Sequence, residues 1–186
     1  MSLPLSLVNG QWQSNLSVYD RGLAYGDGLF ETLKVLQGRP VFWAQHKARM
    51  LNGCSRLGIE FDDQQLVCLE SELLQLCGRL NASDAVVKII LTRGAGGRGY
   101  RRDLAVEPQR LLIASAMPTY PDAYSQEGIH LTLCRTRLAS NPQLAGIKHL
   151  NRLEQVLARN EWQDEYAEGL VCDYDDHVVE GTMSNL

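Results

Sequence analysis

The chain has 186 residues, enough for one large domain or two small ones with real cores. Apolar residues make up 45% and charged residues 22%, with a net charge of −4 and no basic run, which argues against nucleic acid as the main partner. No apolar stretch approaches the roughly 20 residues that span a bilayer, which argues against a membrane protein.

The N-terminal Met-Ser-Leu-Pro-Leu-Ser-Leu lacks the charged and long apolar regions of a signal peptide. Cys54, Cys68, Cys77, Cys134 and Cys172 are odd in number and scattered, without Cys-x-x-Cys spacing. Neither a zinc site nor a disulfide framework is expected, and a reducing, cytoplasmic setting is. Leu5 to Trp12 reads as a hairpin about Asn9-Gly10, the dipeptide that tight type I′ turns prefer. Tyr19 to Gly28 holds three glycines, two aspartates and two tyrosines, and reads as a shaped loop rather than an element. Leu29–Leu36 alternates as a strand, Gln37-Gly-Arg-Pro40 turns it, and Val41-Phe-Trp43 returns as a second strand.

Ala44–Leu57 has helical spacing through Met50, Leu51, Cys54 and Leu57, and Gly58 closes it. A second helix is expected over Asp63–Leu80, from Leu66, Leu69, Leu73 and Leu80. Ala85–Thr92 and Gln109–Ala116 are strands, separated by a glycine- and arginine-rich loop, Arg93 to Tyr100. Met117–Tyr124, with two prolines and two tyrosines, reads as a linker. The expected division is therefore a first α/β domain over 1–117, a linker over 118–124 and a second domain from 125. Ile129 to Cys134 alternates as a strand. A helix follows Lys148 to about Gln163, on the spacing of Leu150, Leu153 and Leu157. Leu170–Tyr174 and His177–Glu180 form a hairpin about Asp175-Asp176. Strands cluster before and after helices rather than alternating with them, which indicates an α+β fold.

Four stretches carry candidate chemistry. Lys148 sits between Gly-Ile and a helical segment, where partial burial makes an amine a usable nucleophile and base; most lysines at helix starts are simply solvated. His46 and Arg49 share one helix face at i and i+3, where the guanidinium can clamp a phosphate or only face water. The Arg93–Tyr100 loop can cradle an anion or be a flexible hairpin, and lacks Walker spacing. Glu180 ends a strand before small polar residues. Asp27 and Glu31 show no paired-carboxylate logic, and the four histidines are too dispersed for a metal site. Together, an amine, a phosphate-binding guanidinium and a carboxylate for a ring nitrogen are what pyridoxal phosphate requires.

Five motifs occur in order: Asp20-Arg-Gly…Tyr25-Gly-Asp-Gly-Leu-Phe-Glu-Thr32, His46-x-x-Arg49, Arg93-Gly…Arg98-Gly-Tyr100, Leu144-Ala-Gly-Ile-Lys148-His-Leu-Asn-Arg152 and Glu180-Gly-x-x-Ser-Asn185. On these the chain resembles the two-domain fold type IV pyridoxal-phosphate enzymes, the class IV aminotransferase family, and within it the bacterial 4-amino-4-deoxychorismate lyases. The resemblance implies Lys148 as Schiff-base lysine, Arg49 at the cofactor phosphate, Glu180 at the pyridine nitrogen, and Thr32 as a hydroxyl that assists proton transfer. It implies Arg98 and Tyr100 on a loop over the substrate. Tyr100 replaces the histidine usual in D-amino-acid aminotransferases and tilts the reading to lyase.

The implied reaction starts from 4-amino-4-deoxychorismate, whose amine displaces Lys148 from pyridoxal 5'-phosphate to give an external aldimine. It ends at 4-aminobenzoate and pyruvate, a step toward folate. A D-amino-acid or branched-chain aminotransferase and a non-catalytic relic are the alternative readings. Family members continue well beyond Asn185, so a second domain truncated at its C-terminus is expected over 125–186, and the family's shared sites imply a homodimer.

Overall fold

A computed structural model describes residues 3–102 and 106–186. Met1 and Ser2 of the N-terminal stretch, and three positions of the first expected domain, lie outside the described residues. The chain divides into two compact units. The first comprises Met1–Met117 with Gly146–Leu150, and the second Pro118–Ala145 with Asn151–Leu186.

The first unit is built on a six-stranded antiparallel sheet of order β2-β1-β6-β5-β3-β4. Its strands are β1 (Leu5–Val8), β2 (Gln11–Trp12), β3 (Gly28–Leu36), β4 (Arg39–Pro40), β5 (Ala85–Thr92) and β6 (Gln109–Ser115). The hairpin at Asn9-Gly10 forms as expected, with φ of 48° and 78° at the two turn residues. β5 pairs with β3 over its whole length, and the two alternate along their middles. Leu29, Glu31, Leu33 and Val35 are buried with Ala85, Val87, Ile89 and Leu91, while Thr32, Lys34 and Lys88 are exposed. Helices α2 (Trp43–Leu57) and α3 (Asp63–Arg79) bring Met50, Cys54, Leu69, Leu73 and Leu76 into the core.

Three expectations change in this unit. Val41-Phe-Trp43 is not a strand. The return from β3 is the two-residue β4, Phe42 has left-handed backbone (φ 54°), and Trp43 opens α2. The Tyr19–Gly28 loop contains a short helix, α1 (Arg21–Tyr25), capped by the Asp20 carboxylate on the Leu23 N–H and stopped at Gly26. Third, Lys148 does not sit at a helix start. Its segment is extended and runs antiparallel to the start of β3: Phe30 N–H donates to Lys148 O at 2.8 Å and Leu150 N–H to Gly28 O at 3.0 Å. Gly146–Leu150 thus packs with the first unit, where the expected boundary puts it in the second. A Cβ on Gly28 would lie 2.5 Å from Leu91 O and 2.7 Å from the Leu150 side chain, so this approach requires a glycine.

The second unit holds a three-stranded sheet. β7 (Leu131–Leu138) and β8 (Glu168–Asp173) are parallel, and β9 (Val178–Gly181) is antiparallel to β8. A small core of Cys134, Leu138, Ala158, Trp162 and Val171 joins the sheet to α5 (Leu153–Arg159). α5 is shorter than its sequence pattern implies, because Leu153 and Leu157 are exposed and the buried residue of its stripe is Ala158. The expected linker ends in one helical turn, α4 (Ala123–Gln126).

Candidate active site

Alternation along β3 divides the chemistry of the first unit between two faces. On the inner face Glu31, 1% exposed, is the anchor. Its carboxylate accepts from Arg49 Nε at 2.7 Å and Arg49 Nη2 at 2.5 Å, and His46 Nδ1 lies 2.7 Å away. The helical spacing of His46 and Arg49 brings both to this one acid, as their i, i+3 placement anticipates. The hydrogen bonds that Arg49 donates to Glu31 raise its pKa, against burial. Nε and Nη2 of the fork are thus both fixed on Glu31. Glu31 is the residue the sequence reading passed over. Its signal was its position, an acid in phase with Leu29, Leu33 and Val35 on a buried strand face.

On the outer face stand Phe30, Thr32 and two lysines. Lys148 Nζ lies 4.8 Å from the Phe30 ring centre and Lys88 Nζ 4.9 Å from the same centre. Thr32 is two residues along β3 and is the cross-strand partner of Lys88.

At the mouth of β3 the Arg93–Tyr100 loop is tied down by a buried ion cluster. Asp27 accepts from Arg93 Nε at 2.8 Å and Nη2 at 3.1 Å, and from Arg21 Nε at 3.0 Å. Arg93 also donates to the Leu57 and Gly58 carbonyls that end α2, and Arg21 to the carbonyls of Gly99 and Tyr100. The Tyr25 hydroxyl accepts the Gly99 N–H at 3.1 Å, and its ring meets Tyr100 edge-on at 5.4 Å. Burial acts to raise the Asp27 pKa, but the Arg93 and Arg21 hydrogen bonds outweigh it and hold the carboxyl below its usual range. Arg98 and Tyr100 themselves are exposed, on a loop whose backbone is held.

Glu180 belongs to the second unit, on β9, where Gln155 Nε2 donates to it at 2.8 Å and Arg152 Nη1 lies 3.8 Å away. Burial lowers the Arg152 pKa, opposed by Glu180 and Glu154. The turn after β9 is fixed by buried Glu168, which accepts from the N–H of Gly169 (2.9 Å), Thr182 (3.2 Å) and Met183 (3.2 Å) and from the Thr182 hydroxyl. Among the described residues, Asp173, Asp175 and His177 bring possible ligand atoms within 4.8 Å of one another. There Asp173 Oδ1 accepts the N–H of Asp175 and His177 and shapes the β8–β9 turn.

The profile of the family described as Amino-transferase class IV matches residues 28–186. The chain belongs to the class IV aminotransferase family. Among class IV relatives, it is 37% identical over 180 residues to an aminodeoxychorismate lyase of Vibrio harveyi, covering 96% of this chain and 65% of the relative. It superimposes on the crystal structure of a Pseudomonas aeruginosa 4-amino-4-deoxychorismate lyase with a TM-score of 0.90 and 52% identity, over 96% of this chain and 65% of that one. The Escherichia coli branched-chain amino acid aminotransferase, at 20% identity and a TM-score of 0.76 over 96% of this chain and 62% of its own, shares the class IV fold. The chain therefore spans just under two thirds of the length of these class IV relatives. No helix among the described residues is long and apolar enough to cross a membrane.

Proposed function

We propose that this chain carries the chemistry of a pyridoxal-phosphate-dependent lyase that converts 4-amino-4-deoxychorismate to 4-aminobenzoate and pyruvate, a step in folate biosynthesis. The observation that carries the reading is the likeness to two aminodeoxychorismate lyases, 37% and 52% identical, each over 96% of this chain. The donor set supports it: an amine over the Phe30 ring, a guanidinium fork pre-oriented by a buried acid, and a carboxylate steadied by an amide. These are the groups that a carbonyl, a phosphate and a pyridine nitrogen call for.

In this reading Lys148 would hold the cofactor carbonyl, Arg49 its phosphate and Glu180 its ring nitrogen. When bound, pyridoxal phosphate supplies an electron-withdrawing ring that stabilises charge on the carbon next to the amine. The chain's own work is to move protons and hold the substrate. Once the substrate amine has displaced it, the freed Lys148 Nζ takes the proton from the amine-bearing carbon, Thr32 Oγ1 assists the transfer, and Arg98 and Tyr100 hold the substrate from their anchored loop. The enzyme acts as a cytoplasmic homodimer; five free cysteines accord with a reducing compartment.

The test is to supply the purified chain with the cofactor and 4-amino-4-deoxychorismate, following pyruvate and 4-aminobenzoate together. Equal amounts of both, without an amino acceptor, are expected. Keto acid formed only when an acceptor is added would make the chain an aminotransferase. A colourless protein that cannot be reconstituted would mark it as non-catalytic. Sedimentation that shows a fully active monomer would overturn the dimer.

A further inference from the structure

Glu180 is held differently from the other acids described above. Glu31 and Asp27 are paired with guanidinium groups, Arg49 for the one and Arg93 and Arg21 for the other. Glu180 Oε1 accepts instead from a neutral donor, the Gln155 amide, at 2.8 Å. Arg152 Nη1 stands 3.8 Å from the same oxygen, beyond hydrogen-bond distance. Gln155 lies on α5 and Glu180 on β9, so the bond runs from helix to strand within the second unit. Gln155 makes this bond at a disadvantage to itself. Its carbonyl oxygen, Oε1, is buried and accepts no hydrogen bond among the described residues. Turning the amide over would set that oxygen against the Glu180 carboxylate, so Glu180 dictates the orientation. A buried acceptor left without a donor offsets much of what one donated hydrogen bond contributes to folding. The amide therefore adds little net stability, and its effect falls on Glu180.

Resting on the cofactor reading of Glu180 above, we propose that Gln155 is a positioning residue for the pyridine nitrogen of pyridoxal phosphate and acts through Glu180. Its N–H fixes the carboxylate at one oxygen. Being uncharged, it leaves the negative charge of that carboxylate for a protonated ring nitrogen. An ammonium or guanidinium in its place would hold the carboxylate as firmly, but would compete with the ring nitrogen for the same charge. Arg49 shows the contrast, since its fork takes up both oxygens of Glu31.

Spectroscopic titration of the 186-residue chain with pyridoxal phosphate tests this, with the melting temperature of each cofactor-free variant measured alongside. Gln155→Met, similar in length and without a donor, should weaken cofactor binding about tenfold and leave the melting temperature nearly unchanged. Gln155→Lys restores a donor but brings a charge, and should bind no better than Gln155→Met. In a Glu180→Ala background Gln155→Met should add no further loss, the mark of one residue acting through the other. Additive losses would overturn the proposal, as would native affinity in Gln155→Met. Full recovery in Gln155→Lys would overturn it as well, and leave Gln155 as a tie between α5 and β9. Visible colour of the lysine-bound cofactor with Gln155-independent affinity sinks this assignment alone. A chain that takes up no cofactor sinks it together with the cofactor reading.

Discussion

The two faces of β3 carry opposite designs on consecutive residues. Glu31 points inward, is sealed in the core, and spends its carboxylate on Arg49 and His46. Thr32 points outward, exposed, beside Phe30 and the two lysines above its ring. A buried charge must be paired to be tolerated, and Glu31 meets that condition through Arg49 and His46. The outer face keeps groups that water still reaches, and these can bind and react. In the proposed function, one strand would separate positioning from chemistry through its period of two. Substitutions on the inner face should cost stability, and those on the outer face activity.

The largest expected effect is on the outer face. Lys148→Ala should lower turnover by roughly 10²–10⁴-fold or more and abolish visible absorbance, with the melting temperature nearly unchanged. A colourless variant with full turnover would break the assignment of chemistry to this face.

Next comes the ion cluster where β3 begins. Asp27→Ala leaves Arg21 and Arg93 buried, with side chains 4% and 6% exposed, and should cost about 3–5 kcal/mol in denaturant unfolding. The native cluster also sets an acid dependence. Asp27 is held below its ordinary pKa of 3.8, so its stabilisation is fully present above that value and is lost as pH falls through the lower native one. Asp27→Asn should flatten stability against pH in that acid window, while a native chain equally stable across it would remove Asp27 as its source. Glu31→Ala, on the inner face, should cost less, roughly 2 kcal/mol, because the Arg49 side chain is 45% exposed and regains water. It should also weaken pyridoxal phosphate binding in a spectroscopic titration. An unchanged cofactor affinity would show that Glu31 does not aim the Arg49 fork.

Much of this division was legible in the sequence, and the misses have physical causes. The alternation of β3 and β5, the Asn9-Gly10 turn and the span of α2 follow from local pattern, because short-range spacing decides them. The Lys148 segment was misread because Leu150, Leu153 and Leu157 imitate a helical stripe. Leu150 instead packs at Gly28, and the backbone around Lys148 is paired with β3, a contact more than a hundred residues away in the chain. α1 was missed because its Asp20 cap is itself held by the Thr92 hydroxyl at 2.6 Å, again from a distant strand. Glu31 and Lys88 escaped notice for a related reason. Each is ordinary alone, and what sets it apart is the cross-strand or cross-helix neighbour that no local window contains.

The smallest effect is the sharpest probe of the comparison. Thr32→Val keeps a β-branched side chain of nearly the same shape, suited to a strand, and removes only the hydroxyl. On an exposed position of the outer face it should leave the melting temperature within the range of neutral surface changes, about 0.5 kcal/mol. If the hydroxyl assists proton movement beside Lys148, turnover should fall about tenfold, near 1.4 kcal/mol in barrier, with little change in KM. Thr32→Ser, which restores the hydroxyl and loses the branch, should recover turnover and lose a little strand stability. The reverse pattern, with valine active and serine slow, would mean that Thr32 serves packing. The outer face would then be structural on that side of Phe30, and its chemistry would rest on Lys148.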